Sequence, residues 1–233
     1  MRKFWIKMNI LYEKLMLILF IAVFLIVIYG LYDSWYVYNK ASDDSYLKYK
    51  PQTGQDVADD SPITDDMVAW ITLDGTNIDY PVMQGKDNSK YLNINPYGEY
   101  ALSGSIFLDS RNSKDFTDKY SILYGHHMEY GVMFGALDEY LDEGYLTSHS
   151  DGILLVGRTD VTEHKLKVFA AAKVNVFEDS EFLKDDAKNI ELLIRERSEV
   201  YDESVPKSGH ILALSTCAEA VSQNRLIVFC YIY

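Results

Sequence analysis

The sequence predicts a mainly β domain, either a closed or nearly closed barrel or a sandwich, preceded by an N-terminal transmembrane helix. Three observations carry this. Residues 15–32 form an uncharged apolar run. Beyond residue 60, short apolar runs rich in β-branched and aromatic residues recur between turn residues. Only two stretches after the first strand candidates show helical spacing. Many short strands with few helices argue for a barrel or a sandwich, and the pattern does not choose between the two.

The apolar run has 18 residues. As a helix rising about 1.5 Å per residue it crosses most of a ~30 Å hydrocarbon core. It has no polar face, which a soluble core helix would show. The competing reading is a cleaved signal peptide, which needs small residues at a cleavage site. Here Gly30 is followed by Leu31, Tyr32, Asp33, Ser34 and Trp35, so an uncleaved anchor is the better reading. Arg2, Lys3, Lys7 and Lys14 precede the run with only Glu13 against them. That bias keeps residues 1–14 cytoplasmic and places the rest of the chain outside the cell. Tyr29, Tyr32, Trp35 and Tyr36 then sit at the outer interface, where amphipathic rings are favoured.

Residues 33–60 read as a polar, acidic linker, and residues 61–233 as the exported domain. The chain carries −13 overall; with +3 before the anchor, −16 remains on residues 33–233. So acidic a domain has no electrostatic footprint for a phosphate backbone, and nucleic acid is excluded as a partner. Thr64, Asp65 and Asp66 suit a helix start, which predicts a short helix over 63–70. Strands are expected at 69–73 and 77–82 around the turn dipeptide Asp74-Gly75. Pro81 confines the second of these to an edge or to its own end. Further strands are expected at 104–108, 120–124, 152–157, 165–176, 210–216 and 225–233, with helices over 133–141 and 188–198. No internal repeat is present.

The C-terminal runs 210–216 and 225–233 read as a hairpin that sets Cys217 opposite Arg225 across the loop 218–224. A guanidinium beside a thiol favours the thiolate, the form that attacks a carbonyl, and can also hydrogen-bond an oxyanion. Cys230 is the other cysteine of the two. It lies five residues beyond Arg225, on the opposite strand face and about 16 Å along the strand at ~3.3 Å per residue. A disulfide needs Cα atoms within about 7 Å, so Cys217 is expected as a free thiol and Cys230 as core. His126 follows Tyr124-Gly125 at a strand end, where an imidazole suits proton transfer to and from an amine. Its neighbour His127 faces the other way, His149, His164 and His210 are scattered, and no metal or cofactor is expected.

Leu214-Ser215-Thr216-Cys217, with Arg225-Leu226-Ile227-Val228 beginning eight residues after the cysteine, resembles the signature of class B sortases. Tyr124-Gly125-His126 is similar to that family's histidine motif. The likeness extends through Trp70-Ile71, Asp79-Tyr80-Pro81-Val82, Gln84-Gly85-Lys86-Asp87-Asn88 and Gly104-Ser105-Ile106-Phe107-Leu108-Asp109, in order over nearly all of the exported domain. The resemblance implies an eight-stranded sortase β-barrel with peripheral helices. It also implies a cysteine transpeptidase. Cys217 would attack a C-terminal sorting signal of an exported surface protein, His126 would carry the proton, and Arg225 would stabilise the oxyanion. An amine of a cell-wall precursor, or a pilin lysine, would then resolve the thioacyl-enzyme. Asn88, Leu92, Tyr124 and Ser215 match positions lining the substrate groove of the family. One departure is that Ala218 directly follows the cysteine, with Glu219 next, where the family often places an acidic residue.

Two other classes compete: a membrane-tethered, non-catalytic β-domain, and a hydrolytic cysteine peptidase. Finally, Pro51-Gln52-Thr53-Gly54 is itself like a P-x-T-G sorting motif. Self-occlusion of the groove is one reading. A chance match is the simpler one, because four-residue matches are frequent.

Overall fold

The short apolar, β-rich runs do produce strands, and they close on themselves. The computed structural model describes residues 1–41, 44–57, 60–175, 182, 189–216 and 224–233. The strands are β1 (Met67–Leu73), β2 (Asp79–Met83), β3 (Ile106–Leu108), β4 (Tyr120–Gly125), β5 (Asp151–Val156), β6 (Thr162–Asn175), β7 (Val200–Tyr201), β8 (His210–Thr216) and β9 (Asn224–Ile232). Their order is β5-β1-β2-β3-β4-β8-β9-β6-β7, and a β5–β6 pairing joins the ends into an eight-stranded barrel with β7 appended to β6. Closure removes exposed strand edges, which decides for a barrel over a sandwich. Trp70, Phe107, Phe134, Phe169 and Phe229 fill the core at full burial.

Three expectations need correcting. No helix forms over 63–70. A turn closes with Met67 N–H donating to Thr64 O, and β1 starts there. Met67, Val68, Ala69 and Trp70 are all buried, on both faces of the strand, and β1 lies between β2 and β5. Neither is β2 an edge strand. It pairs with β1 and β3, and Pro81 is tolerated because the β3 pairing begins only at Val82. The stretch expected as a helix over 133–141 is a 3-10 helix, Phe134–Leu141, whose Phe134, Leu137 and Tyr140 recur every third residue on the core side.

Among the described residues the domain carries two peripheral α-helices. One, Glu143–Ser148, escaped the sequence reading despite its cap, where the Asp142 carboxylate accepts from Tyr145 N–H at 2.8 Å. The other, Ile190–Arg197, lies inside the expected 188–198 and buries Ile190 and Ile194.

The chain packs as two units, Met1–Lys40 and Ala41–Tyr233. The N-terminal helix, Arg2–Ala41, is longer than the 18-residue run and exposes its large apolar side chains all round. It is a candidate membrane span. In the second unit, part of the expected linker is built into the domain. The Tyr46 ring packs on Trp70 and Tyr80, with centroids 5.9 and 5.8 Å away. Lys50 Nζ donates to Thr72 Oγ1 and Asp79 Oδ1, both at 2.8 Å. Gly54 N–H donates to Val161 O and Val57 N–H to Arg158 O. The P-x-T-G match therefore lies on the β5–β6 turn and the start of β6, bonded to Val161 and Glu163. Arg225 pairs with Val174 near the other end of β6, about 40 Å of strand away at 3.3 Å per residue. The motif does not occlude a groove at Arg225.

Candidate active site

Strand β4 ends at Gly125, and the next residue is His126. Gly125 is obligatory there because a Cβ would meet Ile106 Cδ1 at 2.4 Å and the Phe134 ring at 2.7 Å. The main chain beyond is clamped: His126 O accepts from Phe134 N–H at 3.0 Å, and Met133 N–H donates to the Tyr80 hydroxyl at 3.0 Å. The His126 ring is half-buried, and its Nε2 lies 2.7 Å from Leu92 O. A carbonyl only accepts, so Nε2 carries the hydrogen and Nδ1 is the basic nitrogen. Leu92 O is held by close packing: a Cβ on Gly104, at φ +58°, would stand 2.6 Å from it. His127 turns the other way, with Nε2 2.8 Å from Asp138 Oδ2.

β8 runs parallel to β4, and Gly125 pairs with Thr216. Thus β4 and β8 end side by side, at the residues that precede His126 and Cys217 in sequence. Cys217 itself, with Ala218 and Glu219, lies outside the described residues. Thr216 Oγ1 accepts from Leu226 N–H at 3.0 Å, tying the end of β8 to the start of β9. Arg225, half-buried, stands at that start.

Tyr124, Ser215 and Ile227 are register partners across β4, β8 and β9, so their side chains share a face, and Arg225 joins it two residues before Ile227. Ser215 is fully buried, and its small side chain leaves room for the guanidinium to reach over β8 to the Tyr124 ring, 5.9 Å from its centroid. Arg225 Nε is buried with no hydrogen-bond partner among the described residues. The Tyr124 hydroxyl donates to Asp109 Oδ2 at 3.0 Å. Asp109 is fully buried and also accepts from Asn88 Nδ2 at 2.9 Å and from Arg111 Nη2 at 2.7 Å and Nε at 2.8 Å. Burial alone would raise this carboxyl's pKa, but the Arg111 hydrogen bonds and charge outweigh it and hold the group below the usual carboxylate range. Burial raises the Tyr124 pKa, and the Asp109 charge beside it adds to the effect.

The sequence-derived residues therefore gather in two groups. His126 and Leu92 form one, while Arg225, Tyr124, Ser215 and, through Asp109, Asn88 form the other. Both Asn88 amide ends are engaged internally, since its Oδ1 accepts from Ser110 N–H at 2.7 Å. Sequence reading gave Asp109, Gly104 and Tyr80 no role. The position of Asp109 just after the apolar run 106–108 was the signal that could have found it. Cys230 is fully buried, and burial pushes its thiol pKa well up.

The sortase-domain family model matches residues 71–232. Sortase B of Listeria monocytogenes is 35% identical over 191 residues, covering 79% of this chain and 75% of that protein. The crystal structure of a Streptococcus pyogenes class B sortase involved in pilus biogenesis superposes with a TM-score of 0.66 at 37% identity, over 73% of this chain and 93% of that one. A Staphylococcus aureus sortase B–substrate complex gives 0.65 at 32% identity, over 73% and 81%.

Proposed function

The chain belongs to the sortase family, class B, whose members are cysteine transpeptidases, and from that premise we propose that Cys217, His126 and Arg225 carry the reaction. The observation supporting this assignment is the Gly125–Thr216 pairing: the strands that end just before His126 and just before Cys217 in sequence are parallel neighbours, and Arg225 stands at the start of the next strand.

In the proposed cycle the Cys217 thiol gives its proton to His126 Nδ1, and the thiolate attacks the scissile carbonyl of a sorting signal, forming a C–S bond. Arg225 donates to the oxyanion. Collapse breaks the C–N bond, and the leaving amine takes a proton from His126 Nδ1. A primary amine then gives its proton back to His126, attacks the thioester and releases the thiolate. The substrates are exported proteins bearing a sorting signal. The acceptor is the amine of a cell-wall precursor or a pilin lysine. Leu92 lines the groove beside His126, while Asn88, Tyr124 and Ser215 shape its wall. Residues 15–32 cross the cell membrane with residues 1–14 inside, residues 33–60 lead out from it, and the catalytic domain, 61–233, stands outside.

The test is intact-protein mass spectrometry after incubation with a panel of candidate sorting peptides, with and without a wall-type oligopeptide amine or a lysine peptide. An adduct mapped to Cys217, absent in Cys217→Ala and converted to a ligated product by one acceptor, supports the assignment and identifies that acceptor. An adduct on Cys230, or hydrolysis unaffected by either amine, overturns it.

A further inference from the structure

A carboxylate buried in a barrel wall is costly unless it is fully hydrogen-bonded. Asp109 is fully buried and receives the Tyr124 hydroxyl, the Asn88 amide and the Arg111 guanidinium. Arg111 already neutralises it, so the Tyr124 bond is not required to satisfy the charge. What that bond does is fix the Tyr124 ring, whose face meets the Arg225 guanidinium across the small Ser215. A hydroxyl bonded to an anion also makes its ring more electron-rich, which strengthens a cation–π contact. The buried Nε of Arg225, meanwhile, is unpaired among the described residues. A cation held by a ring face keeps its N–H donors free, whereas one held by a carboxylate spends them.

We propose that Asp109 and Tyr124 are positioning residues for Arg225: the buried carboxylate anchors the tyrosine hydroxyl, and the ring holds the guanidinium at the end of β8 with its donors free for the reacting carbonyl. This rests on the reading that Arg225 acts beside Cys217.

The readout needs no substrate. The full chain in detergent is alkylated with iodoacetamide across pH, and the Cys217 rate is followed by mass spectrometry. Below its pKa a thiol loses about tenfold in thiolate per pH unit, so any loosening of the nearby cation lowers the rate at neutral pH. Arg225→Ala sets the full effect. Tyr124→Leu, which removes the ring face, is expected to match it, and Tyr124→Phe, which keeps the ring but cuts the anchor, to lose roughly threefold. Tyr124→Leu added to Arg225→Ala should change nothing more. Asp109→Asn should follow Tyr124→Phe, and because it also touches Asn88 and Arg111, the Tyr124 variants are the deciding ones; unchanged circular dichroism establishes that they fold. If Arg225→Ala shifts the profile while both Tyr124 variants follow the parent, the inference is wrong and the catalytic reading stands. If Arg225→Ala leaves the profile in place, the guanidinium is not held beside the Cys217 thiol and the inference falls, while the oxyanion role of Arg225 is read separately by peptide cleavage.

Discussion

Replacing Tyr46 by alanine tests whether the segment before the barrel belongs to the folded domain. Tyr46 keeps only 9% of its surface exposed and packs against Trp70 and Tyr80 at 5.9 and 5.8 Å. Each such ring pair contributes about 0.5–1.5 kcal/mol beyond area burial. Truncating a buried aromatic residue to alanine costs about 3–5 kcal/mol. Tyr46 lies at the margin of the core, so the lower end, about 3 kcal/mol, applies. For a domain of this size 1 kcal/mol moves Tm by about 2–4 °C, so a drop of about 6–12 °C is expected. The assay is differential scanning calorimetry of the full chain in detergent, read at the cooperative transition of the barrel. Activity should fall as well, because Tyr46 seats Tyr80, whose hydroxyl accepts from Met133 N–H in the loop that clamps His126. A shift of under about 2 °C would refute the claim that residues 44–57 stabilise the barrel.

Three further outcomes are expected. Gly104→Ala, whose Cβ would stand 2.6 Å from Leu92 O, should displace the carbonyl that orients His126 and cut turnover by about 10- to 100-fold, while the fold is retained; unchanged kcat in a peptide cleavage assay contradicts this. The Asp109 carboxyl has a depressed pKa in the folded state, so its stabilisation is present above the unfolded pKa near 4 and is lost as pH falls through the lower folded value; Tm measured from pH 5 downward should fall less steeply in Asp109→Asn than in the parent. Buried Cys230 should resist iodoacetamide in the native protein, so thiol counting should find one reactive cysteine before denaturation and two after.

Much of the fold was legible because its period is local. Strand β8 begins and ends where the apolar run His210 to Thr216 places it, and β4 and β9 are read to within one residue. The errors fall where local signals conflict with packing. Thr64-Asp65-Asp66 offers a helix cap, yet burial on both sides of Met67–Trp70 makes the segment a strand. Polar composition marked residues 33–60 as linker, and within that stretch Tyr46 and Lys50 pack on the barrel.

For the site, the sequence alone determined which residues are proposed to carry the chemistry. A histidine after a glycine at a strand end, and a cysteine and an arginine flanking one hairpin loop, are short-range patterns, and they resemble the signature of the family to which the chain belongs. Tertiary structure decided how the described ones are held. The parallel pairing of β4 with β8 joins positions about ninety apart in the chain. The Asp109 cluster gathers donors from the 88 loop, the 111 turn and β4. Pairings over such separations depend on closure of the whole barrel, because no local propensity encodes which strand lies beside which.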